Sequence, residues 1–345
     1  MGLHKGLTVG SWKVLGKLDS GGMGEVWKVE HQTLHREGAL KCVHEHMLKE
    51  VAGSHERFLT EARTVLKVRH PNVVEVLDAG VIPDPDAAEG SVPVQLPWLV
   101  MELLVGHHLG KEMKARGKDG LPPGEVAAIF REVCDGLQAA HDKGVVHCDL
   151  KPENLFVANV EGRRVMKVVD FGIAKAMSEG RNSITLTHRL LSPVWTSPEQ
   201  LHGQKVTRAA DVWALGLVAF YLLTGKFYWR AANGELGEGK DPVAVLTTEI
   251  IASLKALPAA SARAAELGAA GRLPPGFDAW FARCVCERAD ERYPDAGAAF
   301  EAFEELYVPK RPIIAARGPE RMIAVGVAML ALLALFAAWV IHRGG

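Results

Sequence analysis

Four polar residues in the middle of the chain have the side chains that phosphoryl transfer requires. Asp149, Lys151 and Asn154 belong to the sequence HCDLKPEN at 147–154, and Asp170 begins the triplet Asp-Phe-Gly shortly after it. Carboxylate and carboxamide oxygens are ligands that Mg²⁺ prefers, and a lysine can neutralise phosphate charge. A further carboxylate can orient a hydroxyl group for attack. These residues therefore indicate transfer of the γ-phosphoryl group of ATP to a hydroxyl.

A glycine-rich turn precedes these residues in the chain. It reads LDSGGMGEV at 18–26 and lies between two predicted strands. Glycines would let backbone amides approach phosphate oxygens, although many such turns are only hairpins. No Lys-Ser or Lys-Thr pair follows the glycines, which argues against the P-loop of an NTPase. Lys41 then ends an apolar strand, a position where a lysine often does no more than reach solvent.

The elements that must position these residues change in type along the chain. Up to about Leu104 the sequence reads as short strands with one helix, and from Gly124 onward helices dominate. Strands are predicted at 14–18, 25–30, 38–43, 73–77 and 98–103, a helix at 57–68, and two further strands near 155–158 and 166–169. Residues 231–275 are predicted to hold a loop and two helices. Composition alone gives an α+β fold.

These motifs together resemble those of protein kinases, in the Ser/Thr form that bacteria use. The resemblance covers about residues 12–306 and implies a bilobal kinase fold, with a small β-rich lobe at 12–101 and a large helical lobe at 105–308. It also implies ATP and Mg²⁺, or Mn²⁺, as cofactors and proteins with Ser or Thr hydroxyls as substrates. The sequence Lys-Pro-Glu-Asn at 151–154 resembles Ser/Thr rather than Tyr kinases.

The resemblance implies a role for each residue of the catalytic segment. Asp149 would accept or orient the substrate hydroxyl, and Lys151 would stabilise the phosphoryl group in transfer. Asn154 and Asp170 would coordinate Mg²⁺. His147 is interpreted as a structural residue that holds the loop rather than as an acid or base.

The resemblance also implies a nucleotide site between the lobes. Lys41 would grip the α- and β-phosphates while paired with a helical glutamate, Glu61. Backbone groups of Glu102 and Leu104 would bind adenine, and Met101 would guard a deeper pocket. The implied ATP-binding residues are Leu18, Gly21, Gly22, Gly24, Val26, Lys41, Glu61, Glu102 and Leu104.

Three further matches fall in the predicted large lobe. Ser-Pro-Glu at 197–199 stands where the activation segment closes, and the resemblance pairs Glu199 with Arg292. Asp211 would begin the central helix and brace the catalytic loop. The activation segment carries hydroxyls at Ser183, Thr185 and Thr187, and Ser192 would contact Asp149 and Lys151.

The C-terminus predicts a membrane anchor. Met322–Ile341 is an uninterrupted apolar run of about twenty residues, enough to cross a bilayer as a helix. Basic residues precede it at Lys310, Arg311, Arg317 and Arg321, which places the kinase domain in the cytoplasm. The alternative is a buried terminal helix, but such a helix normally has a polar face. Ala324 and Ala328 form a small-xxx-small pair that would allow a homodimer.

The predicted domain organisation follows from these boundaries. Its segments are an N-terminal tail (1–11), the kinase domain (12–308), a basic juxtamembrane linker (309–321), the transmembrane helix (322–341) and a short extracytoplasmic tail (342–345). The net charge of −1 gives no reason to expect a nucleic-acid partner. Five scattered cysteines do not look like a disulfide framework and fit a reducing cytosol, and Cys284 and Cys286 are interpreted as structural residues of a helix.

Three positions depart from the kinase pattern. Asp19 and Leu191 each stand where the family has glycine, and Cys148 replaces the arginine beside the catalytic aspartate. That arginine reads an activation-loop phosphate, so we expect a weaker dependence on phosphorylation of the loop. Cys148 itself is interpreted as a buried, inert thiol rather than a redox switch.

The departures motivate two rival functions. One is a pseudokinase, a membrane-tethered module that binds ATP and partners without transferring phosphate. The presence of Lys41, Asp149, Lys151, Asn154 and Asp170 argues against it. The other is a small-molecule phosphotransferase of related fold. The activation segment and its Ser-Pro-Glu ending argue against that function, because they serve protein substrates.

Overall fold

The first third of the described chain forms an antiparallel sheet with a helix beside it. The structure, a computed structural model, describes residues 3–21, 24–43, 54–82, 96–117, 119–171, 193–234 and 241–307. The elements of this part are β1 (Thr8–Val9), β2 (Trp12–Gly21), β3 (Gly24–His31), β4 (Glu37–Val43), α1 (Ser54–Val65), β5 (Val76–Ile82) and β6 (Leu96–Glu102). The sheet order is β1-β2-β3-β4-β6-β5, and all neighbouring strands are antiparallel.

Alternation of side chains along these strands builds the small core of the sheet. Trp12, Val14, Val29, Leu40 and Val100 are all buried in one apolar cluster on one face of the sheet. Because successive strand residues point to opposite faces, Lys41 lies on the other face from Leu40. The sequence pattern of the strands therefore directs the lysine toward the second part of the domain.

One predicted strand is placed wrongly by the sequence. The strand predicted at 73–77 is observed as β5, which begins at Val76 and runs to Ile82. Val73 and Val74 are instead buried near β9, where the Val74 amide donates to the Val168 carbonyl at 3.0 Å. This segment connects the two parts of the domain, so a long-range contact overrides its local strand propensity.

The remaining described residues are mainly helical. The elements are β7 (Gly106–His108), α2 (Leu109–Arg116), α3 (Pro123–His141), β8 (Leu155–Val160), β9 (Arg163–Val168), α4 (Pro198–Leu201), α5 (Ala209–Thr224), α6 (Pro242–Ser253), α7 (Ala260–Glu266), α8 (Phe277–Cys284) and α9 (Ala296–Glu304). Strands β7, β8 and β9 form a small antiparallel sheet. Two helices, α6 and α7, lie within 231–275 as predicted.

Helix α5 is the centre of this helical part. Nearly all of its residues are buried, as expected for a helix that is apolar on every side. It ends where Gly225 adopts a left-handed conformation and its amide donates to the Tyr221 carbonyl at 2.8 Å. The fold is thus α+β, with a β-rich lobe followed by a helical lobe, as the resemblance implies.

Residues 1–307 form one compact unit, and the predicted membrane span at 322–341 lies outside the described residues. Within the described ranges, none of the helices combines the length and apolar character needed to cross a bilayer. All five cysteines are described, and none forms a disulfide. Cys284 is the last residue of α8, whereas Cys286 lies just beyond the helix, so the prediction of a helical position is wrong for Cys286.

Candidate active site

Asp149, Lys151 and Asn154 form one hydrogen-bonded group at the start of a short 3₁₀ turn. The Lys151 Nζ lies 2.6 Å from the Asp149 Oδ2. The Asn154 Nδ2 donates to the Asp149 carbonyl at 2.7 Å and to its Oδ2 at 3.1 Å. Asp149 and Asn154 are both buried, and the 3₁₀ turn Pro152–Asn154 fixes the spacing of the three side chains. Lys151 and Asn154 therefore both contact the Asp149 carboxylate.

Asp211, in the first turn of α5, binds the loop that carries Asp149. The Asp211 Oδ2 accepts from the His147 amide at 2.9 Å and from the His141 Nε2 at 2.8 Å. Its Oδ1 accepts from the Cys148 amide at 2.9 Å. Burial alone would raise the pKa of Asp211, but the hydrogen bonds from the His141 side chain and the His147 backbone hold that pKa below its usual value.

His147 occupies the structural position that its sequence context predicts. Its side chain is buried, its Nε2 donates to the Val169 carbonyl at 2.8 Å and its Nδ1 accepts from the Asp149 amide at 3.2 Å. These two bonds fix the neutral tautomer that carries its proton on Nε2. The His147 ring also packs on Phe171, with 4.7 Å between ring centroids, so it connects the catalytic loop to the Asp-Phe-Gly segment.

Lys41 from β4 makes a direct ion pair with Asp170. The Lys41 Nζ lies 2.8 Å from the Asp170 Oδ2, and the lysine side chain is almost fully buried. Burial would raise the pKa of Asp170, but the Lys41 ammonium, with Lys151 nearby, holds it below its usual value. Asp170 is therefore ionised at neutral pH, as a metal ligand must be.

Two residues of the site have a backbone conformation that favours glycine. Cys148 and Asp170 both have φ at 66°, in the left-handed region. Such strain persists only where surrounding contacts fix it, and Cys148 has several. Its amide is bound by Asp211, its carbonyl accepts from the Gln200 Nε2 at 2.7 Å, and its side chain is buried. The cysteine thus fits the loop without disturbing Asp149.

Glu102 at the end of β6 is bound from two directions. Its Oε1 lies 2.6 Å from the Lys167 Nζ and accepts from the Glu75 amide at 2.8 Å. Its own amide donates to the Glu75 carbonyl at 2.9 Å. These bonds fix the backbone of the segment that ends in Leu104, where the sequence predicts adenine contacts. Leu104 is half-buried against the large core.

The glycine-rich turn closes the hairpin of β2 and β3. Gly21 is paired with Gly24, and Val26 is paired with Lys41 of the neighbouring strand. Leu18 is half-exposed on the hairpin. Strand β3, which follows the predicted phosphate-binding turn, therefore runs beside Lys41.

Glu199 and Arg292 form a buried ion pair at the end of the activation segment. The two guanidinium nitrogens Nη1 and Nη2 lie 2.8 Å and 2.9 Å from the two carboxylate oxygens. The Arg292 side chain is fully buried. The resemblance predicts that these two residues pair, and the structure shows that the pair is bidentate.

Some predicted site residues lie outside the described part of the structure. They are Gly22, Ser183, Thr185, Thr187, Leu191 and Ser192, together with the side chain of Glu61. The backbone of Glu61 lies in α1. The predicted Lys41–Glu61 pair therefore stays a prediction, and the described partner of Lys41 is Asp170.

Sequence reasoning missed several residues that support the site. His141 binds Asp211, which in turn holds the catalytic loop; Gln200 binds the Cys148 carbonyl, and Lys167 binds Glu102. Each contact joins residues far apart in the chain, so the spacing of residues within one segment does not predict it. A buried histidine at the end of an amphipathic helix was the one usable signal for His141.

The fold and this arrangement of residues define the class of protein. Residues 12–267 match the family described as protein kinase domain. The chain belongs to the protein kinase family.

Known proteins and solved structures agree with that assignment. The chain is 36% identical over 224 residues to the serine/threonine-protein kinase Pkn1 of Myxococcus xanthus. The aligned region covers 64% of this chain and 30% of Pkn1. It is 31% identical over 299 residues to the serine/threonine-protein kinase PknF of Mycobacterium tuberculosis, with 85% of the chain and 56% of that protein covered. The match thus spans less than a third of Pkn1.

A crystal structure of the PknI kinase domain of Mycobacterium tuberculosis has a similar fold. The TM-score is 0.62 and the sequence identity is 25%. The match covers 89% of this chain and 100% of the PknI kinase domain in that crystal structure.

Proposed function

We propose that this protein is an ATP-dependent Ser/Thr protein kinase that phosphorylates itself and other cytoplasmic proteins. The observation that carries the proposal is the pair of charge contacts across the site, Lys41 with Asp170 and Lys151 with Asp149. One pair lies where phosphates and metal would bind, and the other lies where a hydroxyl would be held. Charged groups in these positions are what phosphoryl transfer needs.

Asp149 prepares the acceptor hydroxyl. Both Lys151 and Asn154 contact its Oδ2, and we expect its Oδ1 to face the hydroxyl of the acceptor and take its proton. Lys151 is close enough to Asp149 to stabilise negative charge on the phosphoryl group as it moves toward the hydroxyl. Asp211 holds this loop through the amides of His147 and Cys148.

The donor set around Asp170 fits Mg²⁺ bound to ATP. Asp170 supplies a carboxylate of low pKa, and the Asn154 Nδ2 is bound to Asp149, so its Oδ1 is the atom for a metal. When bound, Mg²⁺ neutralises charge on the phosphates. Lys41 would bind the α- and β-phosphates, and backbone groups of Glu102 and Leu104 would hold the adenine.

An active kinase fits these contacts better than a pseudokinase does. Cys148, the departure next to the catalytic aspartate, is buried and its amide and carbonyl are both bound. The substitution therefore removes a phosphate-reading group without displacing Asp149.

We further propose that the segment at 322–341 anchors the kinase in the cell membrane, with the kinase domain on the cytoplasmic side. The support is its length and composition, with basic residues just before it. The anchor would concentrate the kinase at the bilayer, and homodimers would form there through the span.

The proposed activity is tested by transfer of label from γ-labelled ATP by the purified full chain in mild detergent. Myelin basic protein serves as acceptor, and acid hydrolysis identifies the labelled residue. We expect phosphoserine or phosphothreonine that requires Mg²⁺ and is lost in Lys41→Met. ATP binding without any transfer by the wild type would favour the pseudokinase.

A further inference from the structure

A buried tryptophan holds the turn that follows the activation segment. The Trp229 side chain is fully buried, and its Nε1 donates to the Val194 carbonyl at 2.9 Å. Val194 lies in the turn at 193–196, which the Thr196 amide closes by donating to the Pro193 carbonyl, two residues before the start of α4. The bond joins residues far apart in the chain, so it fixes the turn to the helical lobe.

This turn, the 193–196 turn, lies beside the catalytic aspartate. Trp195 and Thr196 line one small cavity together with Cys148 and Asp149. From the following helix, Gln200 reaches the Cys148 carbonyl at 2.7 Å. A shift of the turn would therefore change the surface next to Asp149, where the acceptor hydroxyl has to lie.

Trp229 is itself held by a stack of buried groups. Its ring lies over Trp213 at 6.4 Å between centroids, with 22° between the planes. The Arg292 guanidinium lies over the Trp213 ring, 5.1 Å from its centroid. The same guanidinium is bound to Glu199. The 193–196 turn is thus fixed at Val194 through Trp229 and, just beyond its end, at Glu199 through Arg292.

The backbone around Trp229 is fixed as well. The Asn233 Nδ2 donates to the Phe227 carbonyl at 2.8 Å and to the Trp229 carbonyl at 2.9 Å. Its Oδ1 accepts from the Phe227 amide at 3.1 Å. These bonds hold the Trp229 backbone from outside the turn, so its N–H provides a fixed donor for the Val194 carbonyl.

We propose that Trp229 is a positioning residue for the protein acceptor. Its N–H fixes the 193–196 turn so that an acceptor segment bound beside it presents its hydroxyl to Asp149. Because ATP is proposed to bind beside Lys41 and Asp170, we expect Trp229 to affect the acceptor and not ATP. This inference rests on the proposed protein kinase function.

The test compares three Trp→Phe variants of the full chain in detergent. Trp229→Phe removes the anchoring N–H. Trp280→Phe removes an equivalent buried bond, from Nε1 to the Ala299 carbonyl at 2.8 Å, between α8 and α9. Trp213→Phe removes an N–H that finds no acceptor among the described residues. Trp280→Phe therefore controls for lost stability and for lost ring size. Trp213→Phe instead perturbs the ring that stacks on Trp229 while leaving the Trp229 N–H in place.

The readout separates acceptor binding from ATP binding. With myelin basic protein as acceptor, we expect Trp229→Phe to raise the KM for the acceptor about fivefold, the effect of losing one neutral hydrogen bond. The KM for ATP should stay unchanged in all three variants. If Trp229→Phe and Trp280→Phe raise the KM for the acceptor equally, Trp229 has no positioning role.

A second measurement keeps the proposal testable apart from the activity. Amide hydrogen exchange over 193–201 should be faster in Trp229→Phe than in Trp280→Phe, because only the first variant releases the turn. Where Trp229→Phe does not fold, benzothienylalanine at 229 replaces only the N–H by sulfur. If exchange over 193–201 is as slow in the Trp229 variant as in Trp280→Phe, Trp229 does not hold the turn and the positioning role is wrong. Absence of transfer by the wild type would instead overturn the kinase function.

Discussion

Replacing Arg292 with methionine should destabilise the domain by about 3–5 kcal/mol, the cost of removing one partner of a buried ion pair. Nη1 and Nη2 of Arg292 bind both oxygens of Glu199, and Nε donates to the Cys286 carbonyl at 2.9 Å. Nη1 also donates to the Ala209 carbonyl at 2.9 Å. Methionine fills much of the volume, but it leaves the buried Glu199 carboxylate without its cation and removes a donor from the carbonyls of Cys286, Ala209 and Glu287.

Urea denaturation followed by tryptophan fluorescence measures this loss. The matched control is Arg288→Met, which breaks an ion pair with Asp290 that is largely exposed on both sides. Exposed pairs contribute little to stability, so the control should unfold close to the wild-type urea concentration.

A double variant identifies the cause of the loss. Glu199→Gln combined with Arg292→Met removes the uncompensated charge, so it should recover part of the stability lost in Arg292→Met alone. If Arg292→Met unfolds at the same urea concentration as Arg288→Met, the buried pair does not stabilise the domain and the reasoning is wrong.

Three further predictions follow from the site and the C-terminus. Lys167→Met leaves Glu102 without its cation, so the KM for ATP should rise about tenfold in steady-state assays while kcat changes little. The pKa of Asp211 is lowered in the folded state, so the unfolded chain binds more protons in acid. Wild-type stability, measured by urea denaturation, should therefore exceed that of Asp211→Asn at neutral pH, and the difference should shrink below about pH 4. The full chain should remain in the membrane pellet after alkaline carbonate extraction, whereas deletion of 322–341 should move it to the supernatant.

Local motifs made much of the site predictable. The spacing of Asp149, Lys151 and Asn154 places them around a single 3₁₀ turn, and the structure brings all three together. The alternation of apolar residues in β4 likewise predicts that Lys41 leaves the apolar cluster of the sheet. In both cases the information lies within a few residues of the side chain concerned.

Contacts between distant segments were not predictable in the same way. The strand at 73–77 was placed too early because Val74 binds Val168, a residue of another sheet. The bonds from Trp229 to Val194 and from Gln200 to Cys148 also depend on how helices pack. One sequence shows which residues can donate, but tertiary packing decides where the donors point.

Phosphoryl transfer by Asp149→Asn tests directly whether Asp149 is the catalytic base of a protein kinase. Asparagine keeps the size of the side chain and can still bind Asn154, but it cannot take a proton from the acceptor hydroxyl. If Asp149 is the base, transfer from γ-labelled ATP to myelin basic protein should fall at least about a hundredfold relative to the wild type. The Mg²⁺-dependent affinity for ATP should stay within about twofold of the wild-type value. Transfer at the wild-type rate by Asp149→Asn would contradict the assignment of Asp149 as the catalytic base.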